Sequence, residues 1–238
     1  MKPIWIITRR ELGSFFDSLL AYIMIVAFLG FSGFFTWIQG ADIFYVNQAS
    51  LQSFFGIAYW TLFFFIPALT MRVIAEERKT GTIEMMLTKP ISEWEIVTGK
   101  FFAILLLIVV ALVLTLPYYF TVASLGDIDH GAVWLGYLGL VLISSAYISI
   151  GIFTSSLTNN QIVAFLLALL IGILFHVIFD VLANSLPSFS GGIFHYLSMN
   201  THFESISRGV LDTKDLVYFL SIVFLGLVGS EVVLVKRK

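Results

Sequence analysis

Residues 101–123 read FFAILLLIVVALVLTLPYYFTVA, a run without one charged side chain. About 20 apolar residues in a helix, rising 1.5 Å each, cross the hydrocarbon core of a bilayer. The run therefore predicts a transmembrane span over Phe101–Ala123. A helix fits better than a strand, because backbone groups in lipid must find their partners within the segment. The whole chain agrees: of its 238 residues, 59% are hydrophobic, 12% are charged and 24 are Phe. A soluble domain of this size does not bury that much apolar surface. With no Cys, disulfides, thiol nucleophiles and Cys metal sites are excluded. The net charge of -2 says little about partners; where the charges fall says more.

Working outward, five further runs have the length and character of spans: Leu19–Ile38, Phe54–Met71, Ala132–Ser155, Ile162–Ala183 and Leu216–Val235. The expected fold is an all-α polytopic membrane protein with six transmembrane helices, forming one membrane domain over 1–238. The first run is not expected to be a cleavable signal. It is too long, follows a mixed segment containing Asp17, and is not closed by a small-residue site. Lys2, Arg9 and Arg10 precede span one. Arg72, Arg78, Lys79, Lys89 and Lys100 lie between spans two and three, and Lys236, Arg237 and Lys238 end the chain. With both termini cytoplasmic, eleven of the 13 basic residues fall inside, leaving only Arg208 and Lys214 outside. That asymmetry is the positive-inside pattern. Asp42, Asp127 and Asp129 mark outer loops without Lys or Arg. The loop Ser156–Gln161 carries no charge, so it does not test the orientation.

Two segments outside the spans are amphipathic. In residues 1–18 and at the first residue of span one, Leu12, Phe15, Phe16 and Leu19 recur at helical spacing beside Arg9, Arg10 and Glu11. This predicts an N-terminal interfacial helix on the inner surface. In the outer loop 184–214, Phe203, Ile206 and Val210 repeat the spacing after a break at Gly191-Gly192, which predicts an outer interfacial helix before span six. Both helices serve membrane anchoring on the plainest reading.

The charged loop between spans two and three, 72–100, is the part that meets water. Glu76 to Lys79 extend span two as a charged helical end. Gly81 is suited to the left-handed conformation that stops a helix. Thr82–Thr88 has room for about two turns, with Ile83, Met86 and Leu87 on one face and Glu84 on another. Pro90 ends that piece. Ser92 and Glu95 form an S-x-x-E capping box that starts the next helix. A short amphipathic helix held between two turns suits docking in a groove of a soluble subunit, or lying on lipid headgroups.

The run EERKTGTIEMMLTKPISEWEIVTGKF (Glu76–Phe101) resembles the loop of type-2 ABC transporter permeases, where Glu-Arg, Gly-Thr-Ile-Glu and Gly-Lys recur in this order. TRRELGSFFDSLLAYI (Thr8–Ile23) is similar to the N-terminal helix of that family. HFESISRGVLDTKDLVYFLS (His202–Ser221) resembles the stretch before the last span in the branch that holds the gliding-motility permease GldF and the permease of nitrous-oxide-reductase maturation. The resemblance implies the permease subunit of an export-type transporter in a bacterial inner (cytoplasmic) membrane. It implies a separate ATP-binding cassette subunit in two copies, carrying ATP and Mg, and a second permease, identical or related. No cofactor and no nucleic acid is implied for this chain. The coupling helix would lie around Thr82–Thr88, with Glu76, Glu77, Thr82, Ile83, Glu84, Met86 and Leu87 as docking or hinge residues. The chain itself has no G-x-x-x-x-G-K-[ST] phosphate loop; Gly99-Lys100 is followed by Phe. It is not expected to be an enzyme.

Ionisable residues within spans are costly and often mark a pathway. His176 and Asp180, four apart on span five, are candidates for a transport path, or pair with each other along one face. They also frame the alternative of a self-contained, ion-coupled secondary transporter. That class calls for several buried charges and an inverted repeat, and neither is clear here. His195, Met199 and His202 fall at i, i+4 and i+7, a spacing of soft ligands suited to copper, although such residues on an interfacial helix are usually only amphipathic.

Overall fold

The computed structural model of the chain describes residues 3–38, 49–83, 91–186 and 188–236, with residues 188–190 described by their backbone alone. All regular structure among them is helical: α1 Pro3–Asp17, α2 Leu19–Trp37, α3 Gln52–Thr70, α4 Ala75–Lys79, α5 Glu93–Val113, α6 Leu116–Leu125, α7 His130–Leu157, α8 Gln161–Ile173, a π-helical turn Leu174–Ile178, α9 Phe179–Ser185, α10 Ser188–Leu197, α11 Met199–Ser207 and α12 Thr213–Lys236. Six helices are long and apolar enough to cross a membrane: Leu19–Trp37, Gln52–Lys79, Glu93–Leu125, His130–Leu157, Gln161–Ser185 and Thr213–Lys236. They contain the six expected spans to within a residue or so, and several run further at one or both ends, because helices continue into polar flanks that a hydropathy window excludes.

The centre of the bundle is α7, with α3, α5, α8, α11 and α12 packed around it. Small residues on α7 make this possible. A Cβ built on Gly151 would lie 2.0 Å from Thr70 Oγ1, and one on Gly136 would lie 2.4 Å from Phe55. On α12, a Cβ at Gly226 would come within 2.8 Å of Ser149. Close approach through small residues is how helices associate in lipid, where water no longer drives apolar surfaces together. Between α5 and α6 the helix breaks at Leu114–Thr115, with Pro117 opening α6. The break stays internally satisfied: Thr115 Oγ1 donates to Leu112 O at 2.6 Å and lies 3.0 Å from the Tyr137 hydroxyl. Pro67 sits inside α3, three residues before its end.

Three expectations change on contact with the fold. The helix α1 does not rest its apolar face on lipid alone. Ile7, Thr8 and Phe15 are buried, and α1 lies along α5, where Thr8 Oγ1 reaches Gly99 O at 3.1 Å. A Cβ on Gly99 would meet Ile7 Cγ2 at 2.7 Å, so the glycine admits α1. The helix α11 is likewise turned inward. Phe203 and Ile206 are buried, Phe203 stacks on Tyr59 at 4.7 Å, and both abut Gly139 of α7; only Val210 beyond it is exposed. Finally, Gly191-Gly192 does not break a helix. The pair lies within α10, and Gly191 faces the Ala183 and Leu186 carbonyls at a separation that leaves no room for a side chain.

Candidate functional site

The root of the charged loop is built from four elements. After α3 ends, the turn 71–74 leads into α4, and Ser155 of α7 holds that turn. Its hydroxyl accepts from Ile74 N at 3.1 Å and Ala75 N at 3.0 Å, and donates to Met71 O at 3.0 Å. Arg78 Nη1 donates to Ser156 O, also at the end of α7. Gly81 adopts φ 73, the left-handed stop expected for it, and Ser92 with Glu95 forms the expected capping box at the start of α5.

Between these elements lies an ion cluster. Lys100 of α5 is completely buried. Its Nζ donates to Val73 O at 2.9 Å and to Glu77 Oε1 at 2.7 Å, and lies 3.4 Å from Glu11 Oε1. Arg10 of α1 pairs with Glu11 and stands 3.8 Å from Glu77. Two carboxylates thus face one buried ammonium and one half-exposed guanidinium, which balances the charge. A buried ion without such partners would shed its charge or destabilise the fold by several kcal/mol. Burial pushes the Glu11 carboxyl up, but Lys100 and Arg10 together outweigh it and leave it below the usual carboxylate range. Glu77 Oε2 is buried without a hydrogen-bond partner among the described residues. Above the cluster, a cleft of about 330 Å³ opens between α1 and the α3–α4 turn, bordered by Glu11, Phe15, Arg72, Glu76, Thr80 and Thr82. The Arg72 guanidinium sits 5.3 Å over the Phe15 ring.

Of the docking residues named from sequence, the cleft gathers Glu76, Glu77 and Thr82. Glu76 and Thr82 are exposed, and Thr82 Oγ1 donates to Glu77 O at 3.2 Å. Glu77 and Ile83 point the other way: Glu77 is tied to Lys100, and Ile83 is in the core. Glu84, Met86 and Leu87 lie outside the described residues. Lys100 and Glu11 were missed as functional candidates. The available signal was a lysine set in the apolar N-terminal end of span three, together with acids at 11 and 77.

His176 and Asp180 do not pair. The π-helical turn carries His176, buried, into a box of rings. Tyr59 stacks at 4.1 Å, Trp60 and Phe63 stand at 4.4 and 4.7 Å, and the Tyr147 hydroxyl bonds to His176 Nδ1. Asp180 instead borders a cavity at the end of the bundle remote from Lys100. His195, Met199 and His202 do not assemble a metal site. His202 spends Nδ1 on Asp215 Oδ1 at 2.6 Å and Nε2 on Tyr196 O at 3.1 Å, Met199 is buried, and the described residues hold no group of three or more His, Cys, Asp or Glu placed for a metal ion.

No curated protein matches the chain. The family model described as ABC-2 family transporter protein matches residues 16–228, which takes in Glu77 and Lys100 of the ion cluster, five of the six candidate spans whole and the first part of the sixth, Thr213–Lys236. A multi-pass helical bundle and a match across most of its length place this chain in the ABC-2 family of transporter proteins.

Proposed function

We propose that this membrane permease couples ATP hydrolysis on a separate, cytoplasmic ATP-binding cassette subunit to rearrangement of its spans. The observation that carries the reading is the Lys100–Glu77–Glu11 cluster. It ties the root of the charged loop to α1 and α5, while Ser155 and Arg78 tie it to α7. A push on the loop therefore acts on four elements at once, which is what a lever needs against a two-state bundle. The docking surface includes the exposed Glu76 and Thr82, with Glu77 positioning it from within; Glu84, Met86 and Leu87 are assigned to docking from the loop's sequence. The basic end of the bundle faces the cytoplasm, as the positive-inside pattern requires. Two copies of the ATP-binding subunit and a second permease, identical or related, complete the complex in a bacterial inner membrane. Its direction is export, in the gliding-motility branch.

Co-purification tests this. The chain is expressed with its cognate ATP-binding subunit, as wild type and as the double variant Glu84→Arg/Met86→Asp. The subunit is expected to follow the wild type and to be lost with the variant. Retention with both would move the docking surface elsewhere on the loop. Absence from both would overturn the reading, and ion-driven uptake through His176 and Asp180 would become the next test.

A further inference from the structure

At the end of the bundle remote from Lys100, a cavity of about 440 Å³ opens between α9, α10, α11 and the start of α12. Most of its charges are already spent. Glu204 Oε1 lies 3.3 Å from Arg208, and Lys214 Nζ lies 2.8 Å from Asp212. Both ring nitrogens of His202 face acceptors, Asp215 Oδ1 and Tyr196 O. The ring is thus occupied on both sides, and Asp215 Oδ1 is tied to it. Two acidic features remain. Asp180 has no salt bridge among the described residues, and its neighbour Asn184 donates to the Asp180 backbone carbonyl rather than to its carboxylate. Asp215 is 1% exposed, and its Oδ2 is a buried acceptor with no hydrogen-bond partner among the described residues. A buried carboxylate oxygen left without a donor loses its hydration with nothing in return, so the second acceptor calls for a donor from a ligand.

We propose that this cavity binds a primary ammonium group, held between the Asp180 carboxylate and Asp215 Oδ2. The chemistry is selective in three ways. The carboxylate of Asp180 has no cationic side chain paired to it among the described residues, so the cavity prefers a cation. Its free groups are acceptors and its lining includes Asn184, Asn200 and Thr201, so it rewards N–H donors. A quaternary ammonium has none and needs a cage of Trp, Tyr or Phe faces, whereas among the described residues Tyr196 is the one Trp, Tyr or Phe lining this cavity. The volume is that of a small organic ligand rather than a bare ion. The ammonium has two sources, a soluble amine or a lipid headgroup. Ile193 and Tyr196 of α10 are exposed beside the cavity, which puts lipid within reach.

The purified chain in phosphatidylcholine nanodiscs serves for the test, with thermal unfolding followed by tryptophan fluorescence. A ligand that binds only the folded state raises the midpoint in proportion to its occupancy. Phosphatidylethanolamine is introduced into the discs in one arm. Ethanolamine is added to the buffer in the other, against choline at equal ionic strength. A rise with either primary amine, but not with choline, is expected, and the arm that responds names the source. Asp180→Asn is expected to raise the half-saturating concentration at least about tenfold, the loss of one charge-assisted hydrogen bond. Among the described residues this side chain makes no hydrogen bond or salt bridge that the substitution would break. Asp215→Asn should act in the same direction, and the exposed Asp127→Asn should not act at all. An equal response to choline, an equal response from Asp180→Asn, or no response to either amine overturns the proposal.

Discussion

Lys100 is a fully buried cation on which two carboxylates converge. Its ammonium is 0% exposed and balanced by Glu77 and Glu11, so Lys100→Met removes the cation and leaves two largely buried acids facing each other. Breaking such a cluster by deleting one partner costs about 3–5 kcal/mol, whereas replacing opposed charges together with neutral groups of similar size costs far less. Lys100→Met is therefore expected to lower stability sharply, and Lys100→Met/Glu77→Gln to recover a good part of it. Denaturation of the two single variants and the double variant gives the coupling directly; additive losses would sink this account. Glu11 adds a pH dependence. Its carboxyl sits below the usual range because Lys100 and Arg10 outweigh the opposing effect of burial. A depressed carboxyl lends stability that is fully present above the unfolded value, about 4.3. That stability is lost as pH falls through the folded value. Melting midpoints taken from neutral to acid pH should thus drop less steeply for Glu11→Gln than for wild type, with the two curves converging at the acid end. Parallel curves would count against the assignment.

At the scale of elements, the glycines of the helices separate into those that permit contact and those that face open space. Gly151 on α7 meets Thr70, with a built Cβ 2.0 Å from Oγ1, whereas Gly56 on α3 has nothing within 4 Å. Gly151→Ala must push α3 from α7 and is expected to cost about 1–3 kcal/mol, the range for overpacking. Gly56→Ala meets no obstacle and gains helix propensity, so it should be neutral or stabilising by up to about 1 kcal/mol. Matched unfolding measurements decide between this pattern and a uniform effect. The same contrast explains which elements were legible in the sequence. Spans are legible because apolar length is a local property, and the capping box at Ser92 and the stop at Gly81 are legible because each is set by a few adjacent residues. The roles of Gly191 and of α11 are not local. Periodicity at Phe203 and Ile206 identifies an apolar face but cannot say whether lipid or Tyr59 and Gly139 will cover it. Nor can the sequence join Glu11, Glu77 and Lys100, which meet only when three elements converge.

For the molecule as a whole, the remaining question of sidedness turns on a loop that composition leaves neutral. Burial marks the inner ring of helices: 72% of the most apolar window of His130–Leu157 is buried, against 22% in Leu19–Trp37, 22% in Gln161–Ser185 and 17% in Thr213–Lys236. The outer three leave most of their apolar windows uncovered by the rest of the bundle. The loop joining α7 to α8, residues 158–160, has no charge to orient it, yet the fold places it beside Lys79 in one cleft of about 870 Å³, with Arg78 bonded to Ser156 just before it. It therefore shares the basic end with Arg10 and Lys100. Asp127 and Asp129 lie on the other side of α7, 28 residues of helix away, or about 42 Å at 1.5 Å per residue, more than the bilayer core. The chain has no native Cys, so single cysteines report without background. In intact cells, Asp127→Cys should react with a membrane-impermeant maleimide, while Asn159→Cys should react only after the membrane is opened. If both react from outside, the span count between them is wrong. If Asn159→Cys alone reacts from outside, the bundle is inverted, the loop 72–100 faces away from ATP, and the coupling role proposed for the Lys100 cluster falls with it.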